Sequence, residues 1–148
     1  MNEEMYLVDN NALSHLSPAQ RASEFFHTRC RIPSEVLHEA EGYPDSDALK
    51  AVEYATTASV LRFLRTVMAT VPEDDTALVN LYANKGAADP MLVACAMDAM
   101  QKTASLLFGP TWVIVSNDKA VRAKAAELSV ESCTREEFAT RTQGSWDV

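Results

Sequence analysis

The segment Thr111-Trp112-Val113-Ile114-Val115-Ser116-Asn117-Asp118 is an apolar run that stops at three polar residues. Aromatic and β-branched side chains without a polar break predict a short strand, Thr111 to Ser116, buried on both faces. Near the other end of the chain, Met5-Tyr6-Leu7-Val8 has the same character and closes on the turn signal Asp9-Asn10-Asn11. Buried strands separated by helical stretches belong to a parallel sheet covered on both faces. Ligands of such sheets gather outside the carboxyl ends of the strands. Asp9 and Asp118 are therefore expected on one edge, where chemistry is expected.

Between these strands the pattern alternates. Ser17-Pro18 predicts a helix start, with Ser as cap and Pro in the first position, running to about Thr28. Arg29 to Pro33 reads as a short strand, and Ser34 as the cap of a helix reaching about Glu41 and ending at Gly42. After a turn at Tyr43–Asp47, a short helix is expected over Ala48–Glu53, a short strand over Tyr54–Thr57 and a helix over Ala58–Ala69. Pro72 breaks the chain before an acidic-started helix, Glu73–Ala83, and a loop, Asn84–Ala88. Asp89-Pro90 opens a helix to about Ser105, apolar on nearly every side and so expected at the centre. Asp118–Leu128 predicts a helix, Val130–Cys133 a last strand, and Arg135–Arg141 a last helix. Residues 1–142 are read as one domain and Gln143–Val148 as a loose tail.

The 148 residues are 47% apolar and 23% charged, with 4 glycines and 6 prolines, enough for one sizeable core and unlike a disordered chain. No stretch approaches the roughly 20 apolar residues that cross a bilayer. The acidic start Met1-Asn2-Glu3-Glu4 is unlike a secretory signal, so a cytoplasmic protein is expected. Cys30, Cys95 and Cys133 form no CxxC pair and no ladder with His15, His27 and His38, which leaves thiols rather than a zinc site. The net charge of −8 opposes broad, unassisted binding to phosphate backbones, although metal at a shared acidic site would neutralise part of it.

Four acids recur at such starts and ends: Asp9, Glu35, Asp89 and Asp118. Each alone has a structural use. Asp9 suits an Asx turn, Asp89 and Asp118 suit helix caps, and Glu35 suits a helix dipole. Together they would form an oxygen-rich pocket of the kind that suits Mg²⁺ or Mn²⁺. Glu39, one turn beyond Glu35, replaces it if the helix register shifts. Asp98 is positioned to pair with Lys102 at i,i+4, or to support the site from behind.

In order along the chain, four motifs resemble those of the PIN-domain nucleases. They are Tyr6-Leu7-Val8-Asp9-Asn10-Asn11-Ala12-Leu13-Ser14, then Ile32-Pro33-Ser34-Glu35-Val36-Leu37. The third is Gly86-Ala87-Ala88-Asp89-Pro90-Met91-Leu92-Val93-Ala94-Cys95-Ala96, and the fourth Val113-Ile114-Val115-Ser116-Asn117-Asp118. The length is similar to that of the VapC-type toxins of bacterial toxin–antitoxin pairs. The resemblance implies a three-layer α/β/α sandwich with a central, mostly parallel sheet, and a metal-dependent endoribonuclease. It implies catalytic roles for Asp9, Glu35, Asp89 and Asp118, with Asp9, Asp89 and Asp118 as Mg²⁺ or Mn²⁺ ligands. Asn11, Ser14 and Ser116 would support these carboxylates or a phosphate by hydrogen bonds. It also implies an RNA substrate and a basic antitoxin partner. A homodimer would pool the few nearby cations, Lys85, Lys119 and Arg122, with Arg29 and Arg31 further off. The alternatives are a PIN nuclease that is not a toxin, a non-catalytic PIN-fold module binding protein or RNA, and a phospho-accepting receiver. The receiver fits least, because Asp9 is followed by Asn10 rather than a second acid.

Overall fold

Five short strands, β1 (Glu4–Val8), β2 (Cys30–Pro33), β3 (Glu53–Tyr54), β4 (Thr111–Val115) and β5 (Glu131–Cys133), align in the order β3-β2-β1-β4-β5, every neighbouring pair parallel. This computed structural model describes residues 3–71 and 89–146, the side chain of Asp89 excepted. The helix expected over Glu73–Ala83 and the loop with Lys85 lie outside the described residues.

Alternation along the central strands divides the core in two. Tyr6 and Val8 of β1, with Val113 and Val115 of β4, face one hydrophobic cluster. Leu7 and Ile114 face the other, as period-two geometry requires. On the first face lie α1 (Asn10–Ser14), α2 (Pro18–Arg21), α3 (Glu24–Arg29), α4 (Ser34–Glu39) and α5 (Ser46–Leu49). On the second lie α6 (Ala58–Ala69), α7 (Asp89–Thr103) and α8 (Lys119–Glu127), and α9 (Arg135–Arg141) returns to the first. The result is the three-layer α/β/α arrangement. The chain steps from β1 outward to β2 and β3, then returns to the far side of β1 for β4 and β5. Crossovers running in opposite directions cover opposite faces when each has the same hand. The direction reverses between β1 and β4, so a crevice opens at their carboxyl ends.

Helix α7 is the central helix that its all-round apolar sequence predicts, with Leu92 to Ala96 fully buried. Helices α6 and α9 have the expected ends, set by Thr57 and Thr134 accepting backbone N–H groups in their first turns. Elsewhere local chemistry corrects the reading. Asp9-Asn10-Asn11 is no mere turn, because Asp9 caps α1. The single helix expected from Ser17 to Thr28 is two, because the Ser23 hydroxyl donates to Gln20 O at 2.6 Å and caps Phe26 N–H at 3.2 Å. Ser34 is not a cap but the first residue of α4; its Oγ accepts from Thr56 N–H at 3.1 Å. The tail is not loose as far as Trp146. Its ring packs edge-on against Phe25 and its indole N–H donates to Thr142 Oγ1 at 3.2 Å. All three cysteines are buried free thiols, pushed up by burial to about 12 at Cys30 and Cys95 and about 11 at Cys133. Among the described residues, no helix is long and apolar enough to cross a membrane.

Candidate functional site

Asp9 begins where β1 ends. Its N–H donates to Val115 O at 3.2 Å, so the ladder to β4 extends one residue past the strand and holds the backbone against its neighbour. Its Oδ1 accepts from Ala12 N–H at 2.7 Å, which uses one oxygen as helix cap and fixes the carboxylate. Beyond β4, Ser116 is fully buried, with its N–H on Cys133 O at 3.0 Å. The Ser116 hydroxyl accepts from Asp118 N–H at 3.1 Å. Asp118 in turn caps α8, its Oδ1 accepting from Ala120 N–H at 2.8 Å. The same device, an aspartate capping the helix after a parallel strand, thus delivers two carboxylates to the reversal point of the sheet.

Both line one cavity of about 550 Å³, with Asn10, Asn11 and Ser14 after β1, Glu39 at the end of α4, and Asn117 and Arg135 on the far wall. Burial raises the pKa of Asp9 above the usual carboxylate range. Hydrogen bonds from Ala12 N–H and the Ser116 hydroxyl oppose the rise, the Asp118 charge adds to it, and Arg135 opposes it. Glu39 is raised as well, by partial burial first and then by the charges of Asp9 and Glu35, against His38. The charge of Asp118 is thus felt at Asp9, and that of Asp9 at Glu39.

The glutamate on the cavity wall is Glu39, not Glu35. Glu35 stands in the first turn of α4, and four residues later the same helix reaches the cavity. Asp89 opens α7, but its side chain lies outside the described residues. Among the described residues no three His, Cys, Asp or Glu side chains form a group able to hold a metal ion. Asn11 and Ser14 line the cavity, whereas Ser116 sits behind it.

The other candidates separate clearly. Arg29 Nε donates to Glu4 O at 2.6 Å, at the amino end of β1, and Arg31 is taken up by the carbonyls of His27 and Cys30. Neither faces the cavity. His15 is exposed, its Nδ1 2.9 Å from Asn11 O. Asp98 has no place in the cavity wall. It is fully buried and receives Tyr54 OH at 2.6 Å, the Ser59 hydroxyl and, at 2.9 Å, Lys102 Nζ.

Two residues of the site escape the sequence reading. Asn117 donates to Glu136 at 3.0 Å and accepts from Arg135 N–H at 2.8 Å. Arg135 Nη1 donates to Asn11 Oδ1 at 2.6 Å. One signal was present: Arg135 follows the carboxyl end of another parallel strand, and all such ends share an edge. No protein-family model matches the chain, and no curated protein matches it.

Proposed function

We propose that the protein is a divalent-metal-dependent endoribonuclease acting at the cavity between β1 and β4, and that it is the toxin of a VapBC-type pair. The observation that carries this reading is the meeting of Asp9, Asp118 and Glu39 in one cavity at the reversal point of a parallel sheet. The donor chemistry fits a hard cation: the acidic groups offer oxygen only, with no thiol or imidazole among the cavity-lining residues. Burial first, and neighbouring carboxylates second, raise Asp9 and Glu39, and the positive charge of Mg²⁺ or Mn²⁺ would favour their ionised forms. Asp9 and Asp118 would hold the ion, joined by Asp89 as the sequence pattern implies. The ion would supply positive charge to offset that developing on the phosphate during displacement. Each aspartate already spends Oδ1 on a backbone N–H, so each carboxylate has a fixed direction before any ligand arrives. Glu39, its proton affinity raised by partial burial and then by the charges of Asp9 and Glu35, is suited in its ionised form to take a proton from the attacking water at a carboxylate oxygen.

Incubation with single-stranded RNA tests the reading. Cleavage with Mg²⁺ or Mn²⁺, leaving a 5′-phosphate and a 3′-hydroxyl, is expected to stop with chelator and to fall at least about a hundredfold in Asp9→Asn. Metal-independent products, or full activity in Asp9→Asn, overturn it. The toxin assignment further requires growth arrest on induction and relief by a basic protein partner.

A second reading is a non-catalytic PIN-fold binding module. The net charge of −8 and the lack of a three-acid group among the described residues favour it. RNA binding without cleavage under any divalent ion would select it.

A further inference from the structure

We propose that Arg135 is the residue that binds an RNA phosphate at this cavity, its guanidinium held ready by a ring of side chains from three strand ends. The inference rests on the cavity being an RNA site. A chain of net charge −8 with carboxylates on the cavity wall repels a polyanion unless a cation stands beside them. Among the described residues lining the cavity, Arg135 is the cation.

Its geometry is unusually determined for a surface arginine. Nη1 donates to Asn11 Oδ1 at 2.6 Å, from the loop after β1. Nε lies 3.0 Å from Glu136 Oε2. Glu136 is held in turn by Asn117 Nδ2, at 3.0 and 3.2 Å to its two oxygens, from the loop after β4. Asn117 Oδ1 closes the ring on Arg135 N–H at 2.8 Å. The Arg135 side chain stays one-third exposed. Among the described residues its Nη2 group makes no hydrogen bond, so part of the planar fork is available to an incoming ligand. A guanidinium with its orientation already fixed loses less freedom on meeting a phosphate, and its fork matches two phosphate oxygens. The same positive charge opposes the upward shift of Asp9, so one side chain both favours the substrate anion and eases the crowding of the acids. Arg135 is a binding residue in this scheme; Asn11, Asn117 and Glu136 are positioning residues.

Fluorescence anisotropy of a labelled single-stranded RNA, with Ca²⁺ in place of Mg²⁺ and over a range of salt, tests the assignment. Arg135→Gln is expected to bind about tenfold more weakly. The slope of log affinity against log salt should become shallower by about 0.7, the loss of one phosphate contact on a single strand. Arg135→Lys should keep the slope and lose affinity, because it keeps the charge without the fork. A slope unchanged in Arg135→Gln overturns the proposal, since a purely structural arginine would weaken binding without altering ion release. Cleavage is read separately. RNA binding that depends on Arg135 without Mg²⁺-dependent cleavage removes the ribonuclease reading and leaves this one standing. Cleavage with an unchanged salt slope does the reverse, and no RNA binding by the unaltered protein removes both.

Discussion

Asp9 and Asp98 are both buried, 8% and 0% exposed, yet their surroundings push the two carboxyls in opposite directions. Burial raises the pKa at each. At Asp98 the Ser59 and Tyr54 hydroxyls and Lys102 outweigh that penalty and hold the group below the usual carboxylate range. At Asp9 the opposing groups fall short, the Asp118 charge adds to the burden, and the group ends above it. Asp98 joins α6, α7 and the end of β3 beneath the helical layer. Asp9 faces a cavity with other acids. A compensated buried charge is a fastening; an uncompensated one beside a cavity is a place where a cation or proton gains free energy by binding. This contrast separates a structural carboxylate from a functional one.

The largest test of the contrast is stability. Asp98→Ala should cost about 4 kcal/mol, because two half-buried hydroxyl donors lose a charged, fully buried acceptor and a cavity remains. Asp9→Asn should lie within about 0.5 kcal/mol of the unaltered protein, since Asn caps a helix as well as Asp and removes like-charge repulsion. Urea denaturation midpoints read both; equal losses would erase the distinction.

Metal comes next. Mg²⁺ or Mn²⁺ at a hundredfold its dissociation constant should stabilise the fold by about 2.7 kcal/mol. Asp9→Asn should lose most of this gain, whereas a partly destabilised Asp98→Asn should keep it. Thermal melts with and without chelator would show it, and equal gains in the two variants would break the assignment.

The smallest effect lies in pH dependence, measured without metal. The folded pKa of Asp9 is raised, so its contribution is complete below about pH 3.9 and is lost as pH rises through the folded value. The stability of Asp9→Asn relative to the parent should therefore improve as pH rises from acid to neutral. The folded pKa of Asp98 is lowered, so its contribution is present above about pH 3.9 and is lost as pH falls through the depressed value. The deficit of Asp98→Asn should thus be greatest at neutral pH and shrink in acid. Denaturation midpoints across acid to neutral pH would reveal parallel curves if the two sites are alike.

Strongly patterned elements were legible in the sequence. Ala58–Ala69 and Arg135–Arg141 have the ends expected of them, and the apolar run at Thr111 marks a central strand. Asp9-Asn10-Asn11 misled because the same residues favour turns and helix caps, and only the following packing of Ala12 and Leu13 selects a helix. The placement of Glu39 rather than Glu35 on the cavity wall was harder still. Both lie on one short helix, and which turn reaches the cavity depends on how α4 seats on the sheet. Trp146 looked like tail because nothing nearby in the chain shows that Phe25 and Phe138 stack against it.

Periodicity and capping chemistry are local, so the amino-acid order alone determined the alternation of strands and helices and, through it, the shared edge of Asp9 and Asp118. The pairing of Asn11 with Arg135, 124 residues apart, belongs to the folded molecule alone. So do the opposite fates of two buried aspartates. Burial, distance and field are sums over neighbours that the crossovers bring together, and no window of sequence contains those neighbours.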